Sequence, residues 1–128
     1  MNIHELLKFL TCYVPIFSNS RISENNKAYH YTNHFDKISE AGHLNGAPIN
    51  KELDYTQKNI PSIPAKDSKG VVFAYQSIED AKEEGFGCDI LEIEYDKAII
   101  TTHKQEADLG APETVLILCE DIIKYKKV

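Results

Sequence analysis

Cysteine is scarce in this sequence, and its spacing excludes the sites that cysteine usually builds. The three cysteines, Cys12, Cys88 and Cys119, are an odd number, and no two stand at C-x-x-C distance. A disulfide framework needs pairs, and a zinc site needs closely spaced ligands. The sequence therefore predicts neither. We expect a chain from a reducing compartment, with Cys88 and Cys119 as small buried hydrophobic residues.

Positive charge is also in short supply. The formal net charge is -6 and the isoelectric point is about 5.3. An acidic protein repels phosphate backbones, so broad nucleic-acid binding is not expected. The one basic cluster of note, formed by Lys124, Lys126 and Lys127, is interpreted as a solvated chain end. A local basic face stays open as the alternative.

An apolar run long enough to cross a membrane is missing from the N-terminal segment. Residues 3–17 are mostly apolar but include Glu5 and Lys8, and no basic leader precedes them. The segment is also shorter than the roughly 20 residues of a membrane span. We therefore expect folded structure in a cytoplasmic protein without a membrane partner.

What is present is enough for one α+β domain. The 128 residues, 42% of them hydrophobic, suit a single core and are too few for two ordinary domains. Asn2 as a cap, Glu5 as its partner and apolar residues at helical spacing predict an N-terminal helix that Pro15 ends. The polar stretch 18–26 is interpreted as a connector, so 1–26 precede a core over 27–128.

Strand patterns dominate that core. Alternation from Cys88 to Tyr95 predicts a half-buried strand, and the apolar run from Glu113 to Cys119 predicts a central one. Further strands are expected over 27–32, 70–75, 97–102 and 122–126, helices over 33–41 and 77–84, and loops over 43–69 and 105–112. Because long loops in compact domains are often functional, we expect 43–69 to border a ligand cleft.

Three segments stand out by their order. The first is Tyr29-His30-Tyr31-Thr32, followed by an amphipathic helix. The second, Val72 to Ser77, is a strand that runs into a capped helix. The third, Gly110 to Ile117, is a loop that delivers Glu113 to the start of a strand.

This order resembles the ADP-ribosyltransferase superfamily, in particular its histidine–tyrosine–glutamate group, which includes diphtheria-type toxins, poly(ADP-ribose) polymerases and small bacterial and phage effectors. The resemblance covers roughly 27–128. It implies a split β-sheet core flanked by short helices, with NAD as the substrate that supplies ADP-ribose. It further implies a macromolecular acceptor, and the net charge of -6 favours a protein over a nucleic acid.

The resemblance also implies roles for individual residues. His30 matches the first-strand histidine, which hydrogen-bonds the adenosine-side ribose of NAD, with Tyr31 and Thr32 beside it near the nicotinamide amide. Tyr75 takes the position of a ring that stacks on nicotinamide, although Tyr55 competes for this role, and Ser77 lies in the second motif. Glu113 matches the catalytic glutamate. We expect His30, Tyr75 and Glu113 to converge on one cleft.

The sequence also departs from the family. Enzymes that modify arginine carry a second glutamate or glutamine two residues before the catalytic one, and that position here is Ala111. The second motif lacks the serine–threonine–serine pattern. Arginine is scarce, with Arg21 the notable one, so the RNA phosphotransferase branch fits poorly.

Plainer interpretations stand beside each of these roles. His30 suits an ordinary strand position, and its spacing from His34 spans a strand–helix junction, so no metal site is expected. Tyr31 and Tyr75 suit core aromatic residues, and Glu113 suits a surface strand entry. A catalytically inactive member of the fold, acting as an acidic inhibitor or immunity-type module, is the alternative to an enzyme.

Overall fold

The computed structural model describes residues 2–13, 17–33, 35–36, 71–84 and 89–128. Within these ranges the helices are α1 (Ile3–Tyr13), α2 (Ile78–Glu84) and α3 (Lys104–Ala107), with a 3₁₀ turn at Cys119–Asp121. The strands are β1 (Phe17–Ser23), β2 (Lys27–Thr32), β3 (Val71–Tyr75), β4 (Asp89–Tyr95), β5 (Ala98–His103), β6 (Thr114–Leu118) and β7 (Ile122–Lys127). None of the described helices has the length and apolar character that a membrane crossing requires.

Helix α1 begins where the sequence predicts. The Asn2 side chain accepts a hydrogen bond from the Glu5 backbone N–H at 2.9 Å, which satisfies one free amide of the first turn. Leu6 and Leu10 fall on one face and are fully buried. The helix ends at Tyr13, and Pro15 lies outside the described residues.

The described strands form one antiparallel sheet in the order β1-β5-β6-β3-β2-β4-β7. Together with the helices, this sheet confirms the α+β class. The strands β2 to β7 and helix α2 match the predicted segments to within about two residues, the usual uncertainty of element ends.

Strand β1 contradicts the interpretation of 18–26 as a connector. Residues 18–23 are part of a strand, and only 24–26 lie outside regular structure. The sequence does not reveal this strand because β1 is an edge strand with polar side chains, some of which hydrogen-bond to other strands. For example, Ser20 Oγ lies 2.7 Å from Thr101 Oγ1 on the neighbouring strand β5.

Other expectations fare differently. The predicted loop 105–112 is wrong at its start, because 104–107 form the short helix α3. His103 caps this helix, since its Nδ1 accepts from the Glu106 N–H. Four residues carry too little apolar spacing to reveal a helix. Of the helix expected over 33–41, Phe35 and Asp36 are helical. The remainder of that helix, the loop 43–69 and Tyr55 lie outside the described residues.

The two faces of the sheet carry separate cores. Helix α1 packs on one face, here called the helix face, against Ile99, Leu116 and Leu118. The other face, here called the inner face, carries the second cluster: Ala28, Val72, Ala74, Leu91, Ile93, Tyr95, Ala98, Ile100, Val115 and Ile117.

The sheet bends toward its inner face. The Ser23 and Tyr95 hydroxyl oxygens are 3.3 Å apart, although their strands β1 and β4 are five positions apart in the sheet. In a flat sheet these two strands would lie about 24 Å apart, given the ~4.8 Å spacing of adjacent strands. The inner face is therefore concave around its apolar cluster.

Candidate functional site

The sheet is split between β2 and β3. Tyr29 opposite Tyr75 is the one register pair between these strands in the described chain, whereas β3 and β6 share five and β2 and β4 share six. Beside this pair, His30 Nδ1 lies 2.6 Å from the Phe73 carbonyl oxygen. A side-chain nitrogen thus donates to a carbonyl of the opposing strand where the strands diverge.

That hydrogen bond defines the chemistry of His30. Since the carbonyl can only accept, Nδ1 carries the proton, and in the neutral ring Nε2 is left as an acceptor. Burial lowers the pKa of His30 below its ordinary range, and the bond to Phe73 only partly opposes this. At neutral pH, His30 therefore offers an acceptor nitrogen suited to a hydroxyl donor.

The lowered pKa of His30 predicts a pH-dependent stability. Unfolded His30 protonates as the pH falls through its ordinary value of 6.5, while the folded ring stays neutral to lower pH. The free energy of unfolding should therefore decrease as the pH drops below about 6.5, until the folded ring also protonates. Urea unfolding at pH 8 and at pH 5.5 measures the decrease. His30→Gln should flatten it, and an equal decrease in both chains would contradict this origin.

Glu113 lies directly before β6 and is tightly held. Both of its carboxylate oxygens accept from the Arg21 guanidinium, Oε2 from Nη1 at 2.7 Å and Oε1 from Nη2 at 2.9 Å. Thr102 Oγ1 adds a longer bond of 3.5 Å to Oε2. The hydrogen bonds from Arg21 lower the pKa of Glu113, against the opposing effect of burial. Glu113 is therefore a carboxylate at neutral pH.

The strand register brings His30 and Glu113 to the same face. Tyr29, Tyr75 and Thr114 form a row of directly opposed residues, which share a face. His30 and Glu113 each stand one residue from this row, on the other face, which is the inner one. Strand β3 separates them, so their Cα atoms would be roughly 12 Å apart in a flat sheet of ordinary spacings.

The other predicted residues divide between the faces. Thr32, two residues from His30, lies on the inner face and is buried. Tyr31 and Tyr75 lie in the alternate register, on the helix face. Ser77 caps α2 by accepting from the Asp80 N–H at 3.1 Å. The shared face thus holds His30, Thr32 and Glu113, and the expected convergence does not extend to the Tyr75 side chain.

Sequence reasoning missed Arg21 and Thr102, the two residues of the described ranges that hydrogen-bond to Glu113. Arg21 is the only arginine of the chain, which is a weak signal that its site needs a bidentate donor. It stands in the polar stretch that the sequence presents as a connector, so nothing in the sequence links it to Glu113, 92 residues later.

Cofactor and family information add no further site. Among the residues that the structure describes, no group of three or more His, Cys, Asp or Glu side chains is placed to hold a metal ion. Comparison with protein-family models, curated proteins and solved structures finds no match to this chain.

Proposed function

We propose that this chain is an NAD-dependent ADP-ribosyltransferase, or an NAD glycohydrolase when water is the acceptor, that acts in the cytoplasm as an effector or toxin. The observation that carries the proposal is the shared inner face of His30 and Glu113, which are 83 residues apart in the sequence. One is a neutral imidazole with an acceptor nitrogen, and the other is an ionised carboxylate.

The finer fold is part of the same proposal. An ADP-ribosyltransferase-like core is a split sheet in which the histidine strand and the glutamate strand border one cleft. The split between β2 and β3, and the adjacency of β2, β3 and β6, support that assignment. Residues 33–70, which join β2 to β3 in the sequence, would then connect two strands that border the site.

The reaction requires an ionised carboxylate near the ribose. The bond between ribose C1′ and nicotinamide nitrogen breaks, the electron pair leaves with nicotinamide, and positive charge develops on the sugar. The acceptor oxygen or nitrogen then bonds to C1′ and releases its proton. Glu113 stabilises the sugar cation and accepts from the 2′-hydroxyl, while His30 Nε2 accepts from the other ribose. These groups provide position and charge, whereas NAD supplies the leaving group.

The acceptor is proposed to be a protein side chain other than arginine, or a nucleic acid. Ala111 stands two residues before Glu113, where arginine-modifying enzymes of the family carry a second acidic or amide group. The net charge of -6 favours a protein over a phosphate-rich acceptor.

The direct test is the release of nicotinamide from NAD by the purified chain, with and without a cell extract that supplies acceptors. The proposal expects release that rises with protein concentration. Unchanged NAD in both conditions would overturn it.

A non-catalytic binding module is the second candidate, and one observation favours it. The positively charged Arg21 guanidinium lies against the Glu113 carboxylate and partly neutralises it. A sugar cation near Glu113 would therefore be stabilised less. If NAD binds but no nicotinamide appears with any acceptor, this second function replaces the first.

Removal of the His30 side chain should weaken NAD binding more than it slows the reaction. His30→Ala deletes one neutral hydrogen bond, which contributes roughly 0.5–1.5 kcal/mol, or about 2- to 13-fold in affinity. Kinetics across NAD concentrations measure this as a higher KM with a nearly unchanged kcat. A lower kcat at unchanged KM would contradict the role.

A further inference from the structure

The Arg21 guanidinium binds Glu113 with two parallel hydrogen bonds, here called the fork. Its two terminal nitrogens bind both oxygens of Glu113 in the bidentate geometry that fixes a carboxylate plane. Nη1 also donates to the Asn19 carbonyl at 3.2 Å, which ties the guanidinium to its own strand. The contact therefore orients Glu113 from an element outside the part of the chain that resembles the family.

A bulge in β1 directs Arg21 to this contact. Ser18 stands opposite Thr102 and Arg21 opposite Ile100, so three steps on β1 match two on β5. Without the extra residue, Ser20 would face Ile100 and Arg21 would point to the helix face. Asn19 at the bulge has φ of 55°, a conformation that asparagine tolerates better than most residues.

We propose that the bulged strand β1 is part of the catalytic site, with Arg21 as the residue that positions the Glu113 carboxylate beside the ribose of NAD. The inference rests on the proposed function. A carboxylate offers about four acceptor positions. Arg21 occupies one on each oxygen, and Thr102 takes a further one on Oε2. The position left on Oε1 accepts one ribose hydroxyl, in a direction set by the fork.

A purely structural role is the rival explanation, since the pair also joins an edge strand to β6. The side chains of Arg21 and Glu113 are 45% and 30% exposed, however. Exposed ion pairs contribute little to stability, because solvent screens them. The two explanations differ in the kcat of the folded variants, which a purely structural contact would leave unchanged.

The experiment compares Arg21→Gln and Arg21→Lys with wild type, using Lys124→Gln as the control because Lys124 pairs with Glu94 at 3.3 Å, elsewhere on the sheet. Arg21→Gln should lower kcat roughly 10- to 100-fold at nearly unchanged KM, the effect of a misplaced catalytic group. The acid limb of its pH–activity profile should move to higher pH, because the pKa of Glu113 is lowered chiefly by Arg21. Arg21→Lys should restore the acid limb but not kcat, since lysine lacks the fork.

Three results would overturn the proposal. An unchanged kcat and an unchanged acid limb in Arg21→Gln would mean that the Arg21–Glu113 contact is only structural. A higher kcat would mean that the contact is inhibitory. The third concerns the Glu113 carboxyl carbon, followed by NMR against pH, which needs no turnover. If the pKa of Glu113 is equal in wild type and Arg21→Gln, the contact does not hold the carboxylate. Absence of nicotinamide release from wild type, by contrast, removes the proposed function itself.

Discussion

Glu113→Gln should reduce nicotinamide release from NAD about 10²- to 10³-fold, the typical loss when one well-placed electrostatic group is removed. Glutamine has nearly the same shape but cannot stabilise a ribosyl cation with a full charge. The fold should persist, because the Arg21–Glu113 pair is partly exposed and contributes little to stability. Initial rates of both chains, at saturating NAD and neutral pH, give the comparison.

The matched control for this substitution is Glu5→Gln. Glu5 is exposed on α1, on the helix face, and its cap hydrogen bond uses the backbone N–H, which the change preserves. Glu5→Gln should retain wild-type activity. A Glu113→Gln chain that keeps full activity while wild type cleaves NAD would remove Glu113 from the mechanism.

Leu116→Ala should lower the free energy of unfolding by about 2–5 kcal/mol, the range for truncating a large aliphatic residue in a core. Leu116 is fully buried at the centre of β6, within the cluster that α1 covers. The cost combines lost apolar burial with a cavity that the surrounding strands can only partly fill. Urea unfolding followed by circular dichroism measures the change in the transition midpoint.

Ile123→Ala is the control for that substitution. Ile123 is 63% exposed on the edge strand β7, so its truncation should shift stability by no more than about 0.5 kcal/mol. Equal effects of the two substitutions would mean that β6 is not a buried interior strand of this sheet. Because β6 also follows Glu113, its stability and the position of the carboxylate are linked.

The accuracy of the sequence predictions follows from how strongly each segment's periodicity is marked. The alternation at 88–95 and the apolar run at 113–119 correctly predict strands, since burial of one or both sheet faces dictates those patterns. The edge strand β1 escapes prediction because an edge strand needs few apolar residues. The capped ends at Asn2 and Ser77 are predicted correctly, because capping depends on nearby residues alone.

The site is less accessible to sequence reasoning than the fold. His30 and Glu113 are proposed from their place in the order of elements, and the shared inner face depends on strand pairings that the sequence does not specify. Tyr75 lies opposite Tyr29 and Thr114, each of which is one residue away from His30 or Glu113. A shift of one residue along a strand moves a side chain to the other face of the sheet, so the Tyr75 side chain lies on the helix face. The contact between Arg21 and Glu113 depends on a bulge, which no periodic pattern predicts.

We propose that NAD binds on the inner face, between His30 and Glu113, and threonine methyl groups report directly on binding there. Thr32 and Thr102 lie on the inner face, whereas Thr101 and Thr114 lie in the alternate register on the helix face. The measurement is an NMR titration of NAD into the Glu113→Gln chain, which is expected to bind NAD and to cleave it far more slowly than wild type. Binding on the inner face should shift the Thr32 and Thr102 methyl signals at NAD concentrations that leave those of Thr101 and Thr114 unchanged. Shifts confined to Thr101 and Thr114, or none in any of the four, would contradict it.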